Sequence, residues 1–493
     1  MLNRVEEEKP VENKPKIRSV KFNVLMNMIL TSSSFIFPLM TVPYASRVLG
    51  THGTGTVAFA QSLIGYFSLF AVMGITVYGV RECARIRDDY RQLSKTVQEL
   101  LIILFCTTTV VYIIFLLAVF FVPKMRDQMT LMLIFSVGIW LSSFGIDWFY
   151  QAIEQYGYIT ARNIVFKFIA LILMFILVRR ASDYELYGLV TVIAGYGSNI
   201  VNMFRLRKLI SFKKENKWNF RRHFKPMFSF TVSSISSGLY SQIDIVMLGF
   251  LGTTSMVGVY QLAFKIKNVL TTAIGSVGNV MLPRLSYFNQ GGKKEEFEKL
   301  LVKNFNFIIS CGLALTAICI ICSKRLVLLV GGDSFLSSAI PLCIIAPVML
   351  LSPANQMLSQ QMIAIGKEKA YACINFGTLI LAILLSSIFV QRLGAIGAGI
   401  SVTVAELLSI LVRIYTLRFF VKSILKRLEL WKVFAALVLA SLLSIFLLGY
   451  TEIWGSFFSL LVSVGSFVAC YFGVLLITRY SFLVIFVSKE REE

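Results

Sequence analysis

The chain has 493 residues, 57% of them hydrophobic and 15% charged, with a formal net charge of +22. With a mean hydropathy of +0.75, it is too apolar for an ordinary soluble protein. The excess of cations does not indicate a nucleic-acid partner, because most of them lie in the loops between apolar runs.

The first twenty residues, "MLNRVEEEKPVENKPKIRSV", are polar and lack the apolar core of a cleavable signal, so the first span is expected to stay as a transmembrane helix. From there, apolar runs of roughly 20 residues recur along the whole length, each enough to cross a ~30 Å hydrocarbon core. Fourteen spans are predicted, centred near residues 33, 66, 110, 139, 168, 195, 238, 268, 312, 349, 379, 405, 441 and 467. Lipid offers the backbone no hydrogen-bond partners, so each should be a helix. Nothing shows the repeated short alternating segments of a membrane barrel. The expected fold is an all-α polytopic membrane protein.

In span one, Asn23, Asn27, Thr31 and Ser34 share a helical face ahead of Pro38. The outer turn after it reads "RVLGTHGTGTVAFAQS" (47–62). An inner elbow, "RECARIRDDYRQLSK" (81–95), carries five basic residues, and its Asp88–Asp89 pair reads as surface. Span four aligns Ser136, Trp140, Ser143, Asp147, Tyr150 and Glu154, with Asp147 near the inner end. Arg162 opens span five on the inner side. Lys167 lies ~140° around that helix from it, so the two cannot face one cavity squarely, and snorkelling is the alternative for Lys167.

The loop "RLRKLISFKKENKWNFRRHFK" (205–225), with nine basic residues, divides the spans six and eight. Concentration of Lys and Arg on one side is the positive-inside pattern, which predicts both termini on the cytoplasmic side of the membrane. The basic loops are expected against anionic headgroups.

In span seven, Ser233, Ser237, Tyr240 and Asp244 step along one face, and Asp244 falls near the outer end. The next turn, "GFLGTTSMVGVYQLAFK" (249–265), repeats the Leu-Gly-Thr and Gly-x4-Ala of 47–62. A weaker echo links "NMFRLRKL" (202–209) with "RIYTLRFF" (413–420). Two parallel six-span repeats are therefore expected, with a substrate site between them. They form an N-terminal lobe over 1–212 and a C-terminal lobe over 213–421, and 422–493 adds a helix pair and a tail.

Span eight presents Gly258, Gln261, Lys265, Asn268, Thr272, Gly275 and Asn279 on one face for some five turns. That is more polar surface than helix packing needs, so a water-filled lumen is expected, with Lys265 at mid-depth. Span twelve carries Thr403, Glu406, Ser409 and Arg413, with Glu406 near its middle; bonding to neighbouring helices is the structural alternative. A charge at mid-membrane costs about 2.5–3.5 kcal/mol on insertion scales, so it faces a cavity or a partner. Cations there would attract an anionic head, whereas Asp244 could pair with a cation, accept sugar hydroxyls or exchange a proton. Pro38 and Pro43, and Pro341, Pro347 and Pro353, are expected bends. The eight cysteines, including Cys319 and Cys322 in "CIIC", read as small hydrophobes. The two histidines, His52 and His223, are far apart, so no metal site and no cofactor are expected.

Three stretches, "PYASRVLGTHGTGTVAFAQSLIGYFSLFAVMGITVYGVRECARIRDD" (43–89), "IDWFYQAIEQYGYITARN" (146–163) and "YSQIDIVMLGFLGTTSMVGVYQLAFKI" (240–266), resemble segments of bacterial polysaccharide repeat-unit flippases, the Wzx-type family. The similarity extends over spans one to twelve in order and spacing. That family lies within the multidrug, oligosaccharidyl-lipid and polysaccharide exporter superfamily. The resemblance therefore implies two six-helix lobes around a central cavity plus two extra helices. It also implies transfer of undecaprenyl-pyrophosphate-linked oligosaccharide (O-antigen, capsule or exopolysaccharide units) from the cytoplasmic to the outer leaflet by alternating access. Coupling to a proton or sodium gradient is implied, with a polysaccharide polymerase and a chain-length regulator as candidate partners. Carried onto this chain, Arg47, Arg162 and Lys265 would bind pyrophosphate or acidic sugars, beside Gln261, Asn268 and Tyr240 on the lumen wall. Asp147, Asp244 and Glu406 would serve gating or ion coupling. The rivals are a multidrug exporter with acidic sites for organic cations and a peptidoglycan-precursor flippase of the same superfamily. A glycan polymerase would call for a sizeable external loop or a soluble catalytic domain, and neither is expected.

Overall fold

A computed structural model describes residues 18–213, 218–279, 281–451 and 455–480, and among them there are helices, turns and loops but no strand. The polar start of the chain, part of the basic loop, and the side chains of Ser233 and Asn279 lie outside the described residues. Every one of the fourteen expected centres falls in a helix. Among the described residues, nine helices are by length and hydropathy long and apolar enough to cross a membrane, or ten if a bent pair around Pro347 counts as one span. The difference from fourteen has physical causes. Spans one and two run on as Val20–Arg85, with a kink at Gly50 (φ 65°). Span six is divided by a wide turn at Ile193–Gly197, and span seven breaks between Tyr240 and Ile243. This is a multi-span, all-α membrane protein. Its outward Phe120, Phe121, Phe228, Leu442 and Phe446 are exposed, as a lipid-facing surface requires.

The helices gather into two compact units. The first takes the chain up to Thr41, Leu63–Arg179 and Glu185–Gly238; the second takes Val42–Ser62, Arg180–Tyr184 and everything from Leu239 on. The first unit's core is built from Ile75, Val97, Leu100, Trp148, Phe149 and Leu206. The second has Ile274, Leu301, Met357 and Met362 at its centre. Its last two helices, Leu430–Tyr450 and Ser456–Ile477, pack against Lys294–Ile321 through Ala314, Ala436, Ala440, Phe467 and Tyr471.

Within the second unit, the segment 42–62 crosses the helix Thr254–Asn279 with backbones in contact. A Cβ on Gly55 would overlap the Thr254 carbonyl, and a Cβ on Gly258 would overlap the Thr51 carbonyl. Only glycine permits this reciprocal crossing, which is the close approach that small residues give membrane helices.

Candidate functional site

Each unit encloses a cluster of buried charges, and each cluster is assembled where a helix is interrupted. In the first unit, the helix Met129–Ser143 ends and Ile146 takes a left-handed conformation (φ 51°) before a new helix, Asp147–Ala152, begins. The break aims Asp147 at Arg162, with Nη2 donating to Oδ1 at 2.7 Å. Arg162 is 3% exposed at its side chain and Asp147 is 38% exposed, so the pair has a sealed cation and an accessible carboxylate. Asn202 Nδ2 donates to the same Asp147 oxygen at 2.9 Å and also to the Gly145 carbonyl exposed by the break. Tyr150 Oη bonds the Asn202 carbonyl at 2.9 Å. Arg205 stacks 3.8 Å above the Tyr158 ring, a cation–π contact strengthened by desolvation. Lys167 donates to Ser33 and Ser34 at 2.9 and 3.0 Å. Glu154 receives Arg87 at 2.6 Å and Asn23 at 3.4 Å.

In the second unit, the break between Tyr240 and Ile243 sets Asp244 in the first turn of the helix Ile243–Leu251. Asp244 is buried; it accepts from the Ile245 amide at 2.9 Å and from the Tyr260 hydroxyl. Lys267, also buried, lies within electrostatic reach of both Asp244 and Glu406 and packs 4.7 Å from the Phe264 ring centroid. Tyr240 sits beside the Glu406 carboxylate. Glu406 accepts from Asn355 Nδ2, and Asn355 Oδ1 accepts from Arg413 Nη1 at 2.9 Å. Arg413 also donates to Asn375 at 2.5 Å and to Ser409, which Thr378 reaches at 3.1 Å. Two carboxylates and two cations thus make a charge-balanced network across six helices. A buried charge left without a partner would cost several kcal/mol, so the members fix one another.

The candidate residues from the sequence are distributed unevenly. Asp147 and Arg162 meet directly, and Asp244, Tyr240 and Glu406 belong to one network. Arg47 stands apart: it is exposed, and its Nη2 donates to the Leu329 carbonyl at 2.7 Å, near the end of the helix Ser323–Gly331. Lys265 is half-buried and has no carboxylate within 4 Å among the described residues. Gln261 and Asn268 are half-buried on the same helix, and the Gln261 Oε1 is enclosed without a partner. Lys267, Arg413, Asn355, Tyr260 and Asn202 complete the clusters and were not among the sequence candidates. Lys267 carried a signal, as a second cation in "FKIKN", and Arg413 carried one in the stripe with Glu406. Among the described residues, no group of His, Cys, Asp and Glu could hold a metal ion.

Residues 20–289, more than half of the chain, match the family model described as "Polysaccharide biosynthesis protein", and residues 230–388 match the model described as "MatE". An Escherichia coli (strain K12) protein named as an O-antigen transporter is 22% identical over 393 residues, covering 79% of this chain and 94% of the relative. The Staphylococcus aureus capsular polysaccharide biosynthesis protein CapF is 22% identical over 252 residues, covering 50% and 63%. Among solved structures, the lipid II flippase MurJ in an inward closed conformation superposes with a TM-score of 0.71 at 15% identity, covering 93% of this chain and all of that one. An inward-facing multidrug resistance MATE family transporter of the MOP superfamily superposes with a TM-score of 0.61 at 13% identity, covering 82% and 99%. At these identities the two structures establish the shared fold.

Proposed function

Because the chain belongs to the polysaccharide biosynthesis protein family, we propose that it is a flippase for undecaprenyl-pyrophosphate-linked oligosaccharide repeat units. It is a transporter that carries them from the cytoplasmic to the outer leaflet by alternating access, for surface polysaccharide biosynthesis. The family match over more than half of the chain carries the reading. The names of the relatives, an O-antigen transporter and a capsular polysaccharide biosynthesis protein, support it.

In this reading the two sequence repeats form the moving lobes, 1–212 and 213–421, and 422–493 is an added pair. Both termini are cytoplasmic. Lys265, with its uncompensated charge, meets the anionic head along a wall that includes Gln261 and Asn268. The network of Asp244, Tyr240, Lys267 and Glu406 couples the cycle to a proton or sodium gradient, because an ion taken up at one of its carboxylates upsets the charge balance that holds its helices together. Asp147, with its accessible edge, has the corresponding role in the first lobe. A polymerase and a chain-length regulator receive the product. The test is the fate of the carrier lipid in cells. Depletion of the protein should cause lipid-linked repeat units to accumulate in the inner leaflet; unchanged surface polysaccharide and no accumulation would overturn the reading.

A second reading, export of organic cations, rests on the match of residues 230–388 to the MatE model. The cations buried beside Asp244 and Glu406 weigh against it, because both carboxylates already have positive neighbours.

A further inference from the structure

Anion recognition by the first unit has to be found outside the cations expected from the sequence. Arg162 is neutralised by Asp147, and Lys167 is held by two serine hydroxyls. A different group of cations stands open. The inner elbow and the start of the seventh span, far apart in the chain, together line a cavity of about 360 Å³ with Arg81, Arg85, Arg222, Glu82, Tyr78 and Phe230.

One wall of this cavity is built with unusual care for a cytoplasmic loop. Glu99 is fully buried and accepts from Arg222 Nη2 at 2.6 Å, from Arg222 Nε at 3.1 Å, and from the Asn219 amide at 2.8 Å. His223 Nε2 lies 2.8 Å from the same carboxylate, and its Nδ1 lies 2.7 Å from Tyr78 Oη. A carboxylate only accepts, so Nε2 carries the proton and Tyr78 donates to Nδ1. Arg222 Nη2 also reaches Thr96 at 2.9 Å. The guanidinium is therefore fixed in orientation, while Nη1 makes no hydrogen bond among the described residues and the side chain stays 30% exposed. Opposite it, Arg85 is held by Glu82 at 2.9 Å, and Arg81 has no carboxylate within 4 Å among the described residues. With Glu82 and Glu99 both counted, the three arginines leave one positive charge, and that excess lies at a cavity large enough for a phosphoryl group.

We propose that Arg81, Arg85 and Arg222 form a phosphoryl-anion site that docks a pyrophosphate head, or an equivalent phosphate headgroup, on the unit formed by the N-terminal spans. Guanidinium planes match phosphate oxygens in pairs, and a preoriented one loses less freedom on binding. The link to the transported lipid rests on the flippase reading above; the site itself does not.

The experiment measures binding of inorganic pyrophosphate to the purified full chain in a neutral detergent. In parallel, the chain is placed in nanodiscs of phosphatidylcholine alone or with phosphatidylglycerol. Arg81→Gln should weaken pyrophosphate binding about tenfold, the loss expected for a charge-assisted pair, and Arg81→Lys should recover part of it. Lys303→Gln, which removes an exposed charge elsewhere, should change nothing. Arg222→Gln is less informative, because it strips Glu99 of its partner. Binding of pyrophosphate in detergent identifies a soluble or substrate head as the ligand. Binding only to phosphatidylglycerol discs, lost in Arg81→Gln, supports the site and identifies a lipid headgroup. Equal binding by wild type and Arg81→Gln in both settings overturns the proposal, even if the protein still flips glycan lipid. A chain that binds pyrophosphate here and moves no glycan lipid overturns the flippase reading and leaves the site standing.

Discussion

At the level of single residues, the structure separates charges that hold the fold from charges that are free to act. Arg413 ties Asn355, Asn375 and Ser409 together beneath Glu406. Removing one partner from such a buried network leaves an uncompensated charge, a loss of about 3–5 kcal/mol. Arg413→Ala should lower the thermal melting point of the purified protein sharply, whereas Lys265→Ala should leave it unchanged and reduce head-group affinity. Equal melting of wild type and Arg413→Ala would remove the network from the account. His223, in the basic stretch ahead of the seventh span, gives a pH signature. Burial holds its imidazole below the ordinary value, against the opposing pull of Glu99, with Arg222 and Glu82 also in reach. Because the folded value is depressed, its contribution to stability is complete above about 6.5 and is lost as the pH falls from there through the folded value. Melting between pH 7.5 and 5.5 should fall in wild type and fall less in His223→Asn. The charges of the candidate site were legible because Asp147, Arg162, Asp244 and Glu406 interrupt apolar runs. Their partners were not. Lys265 and Lys267 differ by about 200° around one helix, and the rotation that buries Lys267 is set by packing that no single span encodes.

At the level of helices, the repeat visible in the sequence has a structural consequence. Gly55 and Gly258 occupy matching places in the two Gly-x4-Ala turns, and each one's missing side chain makes room for a carbonyl of the other segment. Gly258→Val should destabilise the second unit by about 1–3 kcal/mol, the usual penalty for overpacking. Thr51→Cys with Thr254→Cys should form a crosslink that Gly258→Val suppresses; a crosslink formed equally in both backgrounds would contradict the crossing. The breaks that aim the carboxylates were less readable. Ile146 adopts a positive φ that a β-branched residue rarely takes, and Ser241–Gln242 interrupts span seven with no proline or glycine at the break itself. Both depend on the surrounding helices, through the bonds of Asn202 in one case and of Tyr260 in the other.

At the level of the whole molecule, hydropathy was enough to give an all-α membrane protein and to place each expected span centre within a helix, because lipid leaves the backbone no alternative. The number of crossings was harder to obtain, since broken helices and polar faces fail the length and hydropathy criteria that a simple span satisfies. Function was legible through the serial motifs at 43–89, 146–163 and 240–266, all of which lie wholly inside the family match. The most direct test of the central claim is leaflet transfer in proteoliposomes. The purified protein is reconstituted with labelled undecaprenyl-pyrophosphate oligosaccharide, and the label exposed on the opposite face is followed with and without a proton or sodium gradient. Transfer should require the protein and accelerate under one of the gradients. No transfer under any gradient, with an organic cation carried by the same vesicles, would contradict it.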